Sequence, residues 1–367
     1  MTAWPDRRIL DLFGIDHPIL QAPMANASTP AMAVAVSEAG GLGSLPGAQY
    51  TLDGLKAAVA EVRRGTARPF NLNFFCHTPP VPDPARLLSW RARLAPYYVE
   101  LGLDPADTPP TGGRTPFDAD FCGLVEEVKP AVVSFHFGLP GKVLLDRVKA
   151  TGAKVIASAT TVAEARWLEH HGVDAVIAMG LEAGGHRGNF LSDDMATQVG
   201  TFALVPQVAD AVSVPVIAAG GIADARGIVA ALALGASAVQ IGTAYLFCPE
   251  IKIPEVHRQA LDSITDDGTA VTNLFTGRPA RGIVNRLMRE VGPLSDAPTA
   301  FPTAGGALAP LRAKAEAAGS GDFTNQWAGQ AARLSRALPA GDLTRTLAAE
   351  ALKHLGGQRL DGEISDR

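Results

Sequence analysis

The sequence predicts a (β/α)8 barrel of the TIM type. Three observations predict it. Short β-branched runs alternate with longer Ala-rich segments of helical period, which is the signature of βαβ units and a parallel sheet. Several of the short runs are apolar almost throughout, as strands buried on both faces are. There are about eight such units, the count at which a parallel sheet closes on itself. A doubly wound open sheet is the alternative, but no GxGxxG follows the first strand as a dinucleotide-binding fold requires.

Taken in order, the strand candidates are HPILQAPM (17–24), GLGSLPG (41–47), PFNLNFFC (69–76), AVVSFHFG (131–138), KVIASAT (154–160), DAVIAMG (174–180), VPVIAAG (214–220) and SAVQIGTA (237–244). Helix candidates fall between them at 30–39, 51–64, 118–128, 140–151, 161–171, 202–212 and 223–234. Two segments exceed a minimal barrel. Residues 77–117, rich in Pro and Gly, interrupt the third unit, and a connection of that length is expected to be a lid or binding loop. Residues 249–367 read as mainly helices and loops, an appended portion covering the barrel mouth, with a frayed end at DGEISDR. The expected division is therefore a barrel over 1–248, carrying the insertion, and a helical portion over 249–367.

Composition narrows the function. Of 367 residues, 47% are hydrophobic and 19% charged, which suits a large buried core and not disorder. A net charge of −5 leaves no basic footprint for nucleic acid. No apolar run is long enough for a membrane span. The opening MTAWPDRRILDLFG lacks a signal peptide's apolar core. Three widely spaced cysteines, Cys76, Cys122 and Cys248, fit neither a disulfide framework nor a zinc site, so no metal is expected. The reading is a soluble cytoplasmic protein. No motif sets its oligomeric state, although 249–367 offers faces for a homodimer.

In such a barrel the active site lies on the loops after the strands. EAGGHRG (182–188) follows the sixth strand, with Gly184 and Gly185 placed directly before His186. AAGGIAD (218–224) and QIGTA (240–244) follow the seventh and eighth strands, where many barrels hold a phosphate. There Gly220 and Gly221 would bring backbone N–H groups to an anion at a helix N-terminus, unless Asp224 merely caps the helix. Asn71 and Asn73 share one face of the third strand and, buried, need partners. His136, near the end of the fourth strand, either lines the mouth or is a satisfied core histidine. Arg187 faces either the phosphate or solvent.

QAPMANASTPAMAVAVSEAGGLGSL, FNLNFFCH, MGLEAGGHRGNF, PVIAAGGIADARGI, GASAVQIGTAYL and FTNQWAGQ together resemble the nitronate monooxygenases, formerly 2-nitropropane dioxygenases, of the class I type. The resemblance runs from about residue 7 to about residue 335. It implies FMN as cofactor, with Pro23, Met24, Asn71, Asn73, Met179, Gly184, Gly185, Gly220, Gly221, Gln240, Ile241, Gly242 and Thr243 around it. It implies His186 as the catalytic base, which the two glycines would let pass tightly against the cofactor. A base is needed for a neutral nitroalkane, a carbon acid, and histidine titrates in the right range. A nitronate is already deprotonated, and a protonated His186 would then hold the anion. The implied reaction is oxidation of nitronate with O2 to a carbonyl compound and nitrite. This chain departs from many relatives in having Met179 for glutamine and Phe301 for tyrosine; Trp327 is read as packing. Two other readings stand beside it: an FMN-dependent NAD(P)H:quinone or enoyl-acyl carrier protein reductase, and a flavin-free phosphate-binding isomerase or lyase.

Overall fold

The computed structural model describes residues 3–107 and 113–357, so DGEISDR and the middle of the 77–117 insertion lie outside the described residues. The eight expected strands are all present: β1 (Ile19–Gln21), β2 (Gly43–Pro46), β3 (Phe70–Phe75), β4 (Val132–His136), β5 (Lys154–Ala159), β6 (Ala175–Met179), then, past a two-residue β7 (Gly185–His186), β8 (Val216–Ala219) and β9 (Ala238–Ile241). All pair in parallel in the order β1-β9-β8-β6-β5-β4-β3-β2. A Leu20–Leu42 bridge joins β2 back to β1 and closes the ring. The first helix, α1 (Arg8–Phe13), precedes the barrel and buries Ile9, Leu10 and Phe13.

Six helices follow their strands as the periodicity predicts: α2 (Pro30–Glu38) after β1, α3 (Leu52–Gly65) after β2, α6 (Lys142–Ala150) after β4, α7 (Val162–His170) after β5, α8 (Thr201–Ala209) after β6 and α9 (Ala225–Ala233) after β8. Behind β3 come two helices, α4 (Pro84–Glu100) and α5 (Ala119–Val128). The second is the expected barrel helix. The first was hidden in the Pro-rich insertion: Asp83 caps it by accepting from Arg86 N, and Pro84 stands at its first position, where proline costs nothing.

Helix α4 is not a free lid. Its buried Trp90, Leu94, Tyr97 and Tyr98 form a second hydrophobic core with Leu274, Phe275, Leu287, Met288, Leu308, Leu311 and Phe323 of the C-terminal portion. Trp90 Nε1 donates to Ala304 O at 3.1 Å and Tyr98 Oη to Ala307 O at 2.7 Å. Insertion and C-terminal portion are therefore one cap, made from two distant pieces of chain.

The C-terminal portion also departs from the helical expectation. It contains α10 (Glu255–Asp262), then a hairpin of β10 (Thr269–Thr272) and β11 (Ala280–Ile283), and β11 pairs antiparallel with β7, His186 facing Ala280. After α11 (Arg286–Val291) and α12 (Ala309–Ala317), the chain leaves the cap, and α13 (Ala340–Leu355) packs on α2 and α9. That is the place of the barrel's eighth helix. Thr344 accepts or donates a 2.8 Å hydrogen bond with the buried Tyr245, just past β9. The barrel thus ends with the tail, and only 249–339 is an excursion over the mouth.

Candidate active site

The strands of this barrel point polar side chains into its upper interior, and several find partners on a neighbouring strand. Gln21 donates to Ser28 Oγ at 2.9 Å and accepts from Ser44 N at 2.8 Å. Asn71 donates to Ser44 Oγ at 3.1 Å and Ser134 Oγ at 2.9 Å, and Asn73 to Ser134 Oγ at 3.0 Å. The amide N–H groups of Asn71 are satisfied within the barrel, while its Oδ1 is buried without a donor. Asn71 is fully buried and does not line the cavity above; Asn73 does.

That cavity, of about 660 Å3, opens at the strands' C-terminal ends. It brings together Pro23, Met24, Asn73, His136, Met179, Gly184, Gly185, His186, Gly220, Gly221, Gln240, Gly242 and Thr243. Besides Asn71, Ile241 alone among the expected residues is outside it, its side chain buried in the core. Trp327, from the cap, lines it as well and stands 5.6 Å from the His186 ring.

The two glycines before His186 both line the cavity, and each has a local reason to be glycine. A Cβ on Gly184 would lie 2.5 Å from Gly329 N and 2.6 Å from Ala328 C, so the missing side chain makes room for the cap's backbone at the cavity wall. Gly185 has φ +74°, open to glycine and strained for other residues. That turn swings the chain into β7 and hands His186 to β11.

His186 Nε2 is 3.0 Å from Thr276 Oγ1, and the Thr276 hydroxyl donates onward to Arg278 O at 3.3 Å. With its one proton so used, Thr276 accepts from His186. The network therefore assigns the proton to Nε2 and leaves Nδ1 as the basic nitrogen. Burial, then the charges of Arg114, His136, Arg278 and His77, hold His186 well below the usual histidine range. That direction favours the neutral ring, which suits a base.

His136 also lines the mouth, but both its nitrogens are engaged. Nδ1 meets Ser158 Oγ at 2.5 Å, and Nε2 donates to His186 O at 3.2 Å. Burial pushes it down to about 3. It braces the backbone of His186 and has no lone pair to spare. Around them Phe75, Phe137, Phe301 and His77 form an aromatic wall, with the Phe301 ring 5.2 Å from His186. Arg187 meets neither phosphate nor solvent. It is fully buried and donates to Gly180 O at 2.7 Å, Met179 O at 2.9 Å and Gln198 Oε1 at 3.0 Å, tying down the end of β6. Burial and Arg281 lower it to about 10.

The far end of the cavity has the donors and acceptors that an FMN tail needs. Among the described residues, the loop N–H groups of Gly221, Ile222 and Ala223 meet no backbone acceptor. Gln240 Oε1 is buried without a donor, fit to accept from a ribityl hydroxyl. The first turn of α9, by contrast, is already taken: Asp224 accepts from Arg226 N at 2.9 Å and Gly227 N at 3.2 Å, so an anion must sit on the loop before it. Met179 offers no side-chain donor. Among the described residues no group of His, Cys, Asp and Glu is arranged to hold a metal, and no helix is long and apolar enough to cross a membrane.

Sequence reasoning missed Thr276 and Arg114. Thr276 lies 90 positions from His186, and Arg114 sits in a segment read only as a loop.

A closed (β/α)8 barrel with a buried, oriented histidine at the mouth of a polar-floored cavity has the form of a barrel enzyme. The family model of nitronate monooxygenases matches residues 6–350. The chain is 45% identical over 350 residues to the nitronate monooxygenase of Paraburkholderia phytofirmans, covering 94% of both, and 44% identical to that of Pseudomonas aeruginosa, covering 94% of this chain and 98% of the relative. Its fold is similar to that of a nitroalkane oxidase from Streptomyces ansochromogenes, with a TM-score of 0.86, 40% identity and coverage of 95% and 99%. FabK from Thermotoga maritima is similar at a TM-score of 0.72 and 31% identity, with coverage of 95% and 97%. The chain belongs to the nitronate monooxygenase family and is an enzyme of that type.

Proposed function

We propose that this enzyme oxidises alkyl nitronates with O2 to a carbonyl compound and nitrite, using bound FMN, and that His186 lets it accept neutral nitroalkanes as well. The observation that carries this reading is His186 itself: neutral, held by Thr276 through Nε2, and braced by His136, with Nδ1 left to take a proton. The loop N–H groups of Gly221–Ala223 would hold the FMN phosphate, Gln240 a ribityl hydroxyl, and Asn73 with the Pro23–Met24 backbone the ring system. Bound there, FMN supplies the electron acceptor.

The chain's own part is proton transfer and exclusion of water. A nitroalkane placed against the aromatic wall presents its α-carbon to His186; Nδ1 takes the proton, and the charge develops on the nitro oxygens as nitronate. The apolar rings of Phe75 and Trp327 suit the alkyl group. Thr276 holds the ring and His136 the backbone of His186 through that transfer, which matters because a positioned base contributes about 10²–10⁴ in rate.

An anaerobic titration of the purified holoenzyme, followed by flavin absorbance, tests the proposal. Propyl nitronate should bleach the flavin and NADH should not. Bleaching by NADH alone would make the enzyme a reductase, and protein that takes up no FMN would refute the flavin.

A further inference from the structure

We infer that Arg114, carried by the insertion after β3, is the anion clamp of this site and sets its preference for nitronate over nitroalkane. This rests on the proposed reaction and adds a residue to it.

Three observations converge on Arg114. The first is its placement. The insertion returns to the barrel where Phe117 N donates to Phe75 O at 2.7 Å, and the Phe117 ring packs 4.9 Å from Phe74 and 5.1 Å from Phe135. That anchor, three residues on, delivers Arg114 to the cavity beside His136 and His186.

The second is its hydrogen bonding. Nη1 donates to Ala48 O at 3.1 Å. Among the described residues no acceptor is found for its other donors, so most of the fork is left to the cavity.

The third is its charge. Burial pulls Arg114 below the usual guanidinium value, and among the described residues no carboxylate forms a salt bridge with it. Of the cavity's other cations, Arg312 donates to Asn325 Oδ1 at 3.2 Å, and three arginines behind the site differ from Arg114. Acidic side chains reach each of them: Glu182 and Glu164 for Arg187, Asp193 and Glu164 for Arg278, and Glu182 for Arg281. A desolvated cation without a counter-charge is costly, and a site that holds one is built for an anion.

The chemistry of the substrate matches. A nitronate carries its charge on two coplanar oxygens, which a planar guanidinium can meet with parallel N–H groups. His186, neutral, cannot supply that charge. A nitroalkane has the same two oxygens without net charge and gains far less from Arg114. The same guanidinium stands first among the charges that depress His186, so it keeps the base unprotonated while waiting for the anion.

The test uses holoenzyme with Arg114→Gln and Arg114→Lys. Nitrate serves as a redox-silent planar probe, its Kd read from perturbation of the flavin spectrum; KM is measured for propyl nitronate and for 1-nitropropane. In Arg114→Gln, nitrate affinity and nitronate KM should each worsen roughly 10- to 100-fold, the worth of hydrogen bonds to a charged group. Arg114→Lys should weaken both by less, since it keeps the charge and loses the fork. The KM of nitropropane should stay within a few-fold, and the acid limb of its kcat/KM profile should move to higher pH in Arg114→Gln. Unchanged nitrate affinity, or a KM raised equally for both substrates, overturns the inference. If Arg114→Gln fails to fold, Arg114→Lys decides: it must weaken nitrate several-fold and leave the KM of nitropropane within a few-fold. A wild-type flavin that nitronate does not reduce would sink the proposed reaction, yet nitrate binding lost with Arg114 would still establish the clamp.

Discussion

Replacing Thr276 with valine removes one hydroxyl and almost no volume. In the native site His186 Nε2–H donates to that hydroxyl over 3.0 Å, and the hydroxyl donates to Arg278 O over 3.3 Å. Valine leaves a buried N–H and a buried carbonyl without these partners. An unsatisfied buried group costs about 1–3 kcal/mol. Part of that cost falls on the orientation of the ring, which is then free to turn or to carry its proton on Nδ1. If about 1–2 kcal/mol of base orientation is lost, proton abstraction slows by roughly 5- to 30-fold. The assay is steady-state kcat/KM for 1-nitropropane and, separately, for preformed propyl nitronate. The first should fall by that factor. The second should hold within about twofold, because no proton leaves carbon, and FMN content should be unchanged. Thr276→Ser restores the hydroxyl and should restore the rate. Equal losses on both substrates would mean that Thr276 serves packing alone, and an unimpaired valine variant would refute the assigned tautomer.

Three further outcomes follow from the same geometry. His186→Asn should lower nitroalkane turnover by roughly 10²–10⁴ and nitronate turnover much less; a large equal fall in kcat for both would show that His186 does more than accept a proton. Gly221→Asp puts a side chain at φ +71° and a carboxylate beside Glu182, where the phosphate is proposed to bind, and should yield FMN-free protein; full FMN occupancy would misplace the phosphate. Acid should destabilise the fold before carboxylates titrate. His136 and His257, buried and lowered to about 3 and about 4, take up no proton when folded, whereas the unfolded chain does so below about pH 6.5. Stability is therefore full above that pH and is lost as pH falls towards the folded values. Between pH 7.5 and 5.5 each should contribute about 1.4 kcal/mol of loss, and identical denaturant midpoints at the two pH values would contradict it.

The strands were legible because each is a short apolar run, buried on both faces and bounded by punctuation. His186 was legible because a Gly-Gly pair before a histidine is conspicuous. The reason for the pair was not, since Gly184 makes room for Ala328 and Gly329, which lie far off in sequence. Helix α4 was hidden behind the prolines around it, one of which starts it. Asn71 was marked out because a buried amide needs partners; that Ser44 and Ser134 accept from its N–H groups depends on strand register, which no single strand reveals. Thr276 and Arg114 lie in segments with no pattern of their own and acquire a role only when the cap docks.

The last helix of the described chain fills the eighth place in the outer ring, between α2 and α9. A growing polypeptide therefore cannot finish its barrel when the eighth strand is made. It must first complete the whole excursion over the mouth, about ninety residues, before α13 arrives to cover Thr344's partner Tyr245 and the flank of α2. Until then those apolar surfaces are open to water and to other chains, the condition in which long-range contacts fold slowly and nascent proteins aggregate. Synthesis order thus makes the tail the latch of the fold, and a chain cut at residue 338 should emerge as a barrel with one stave's backing missing.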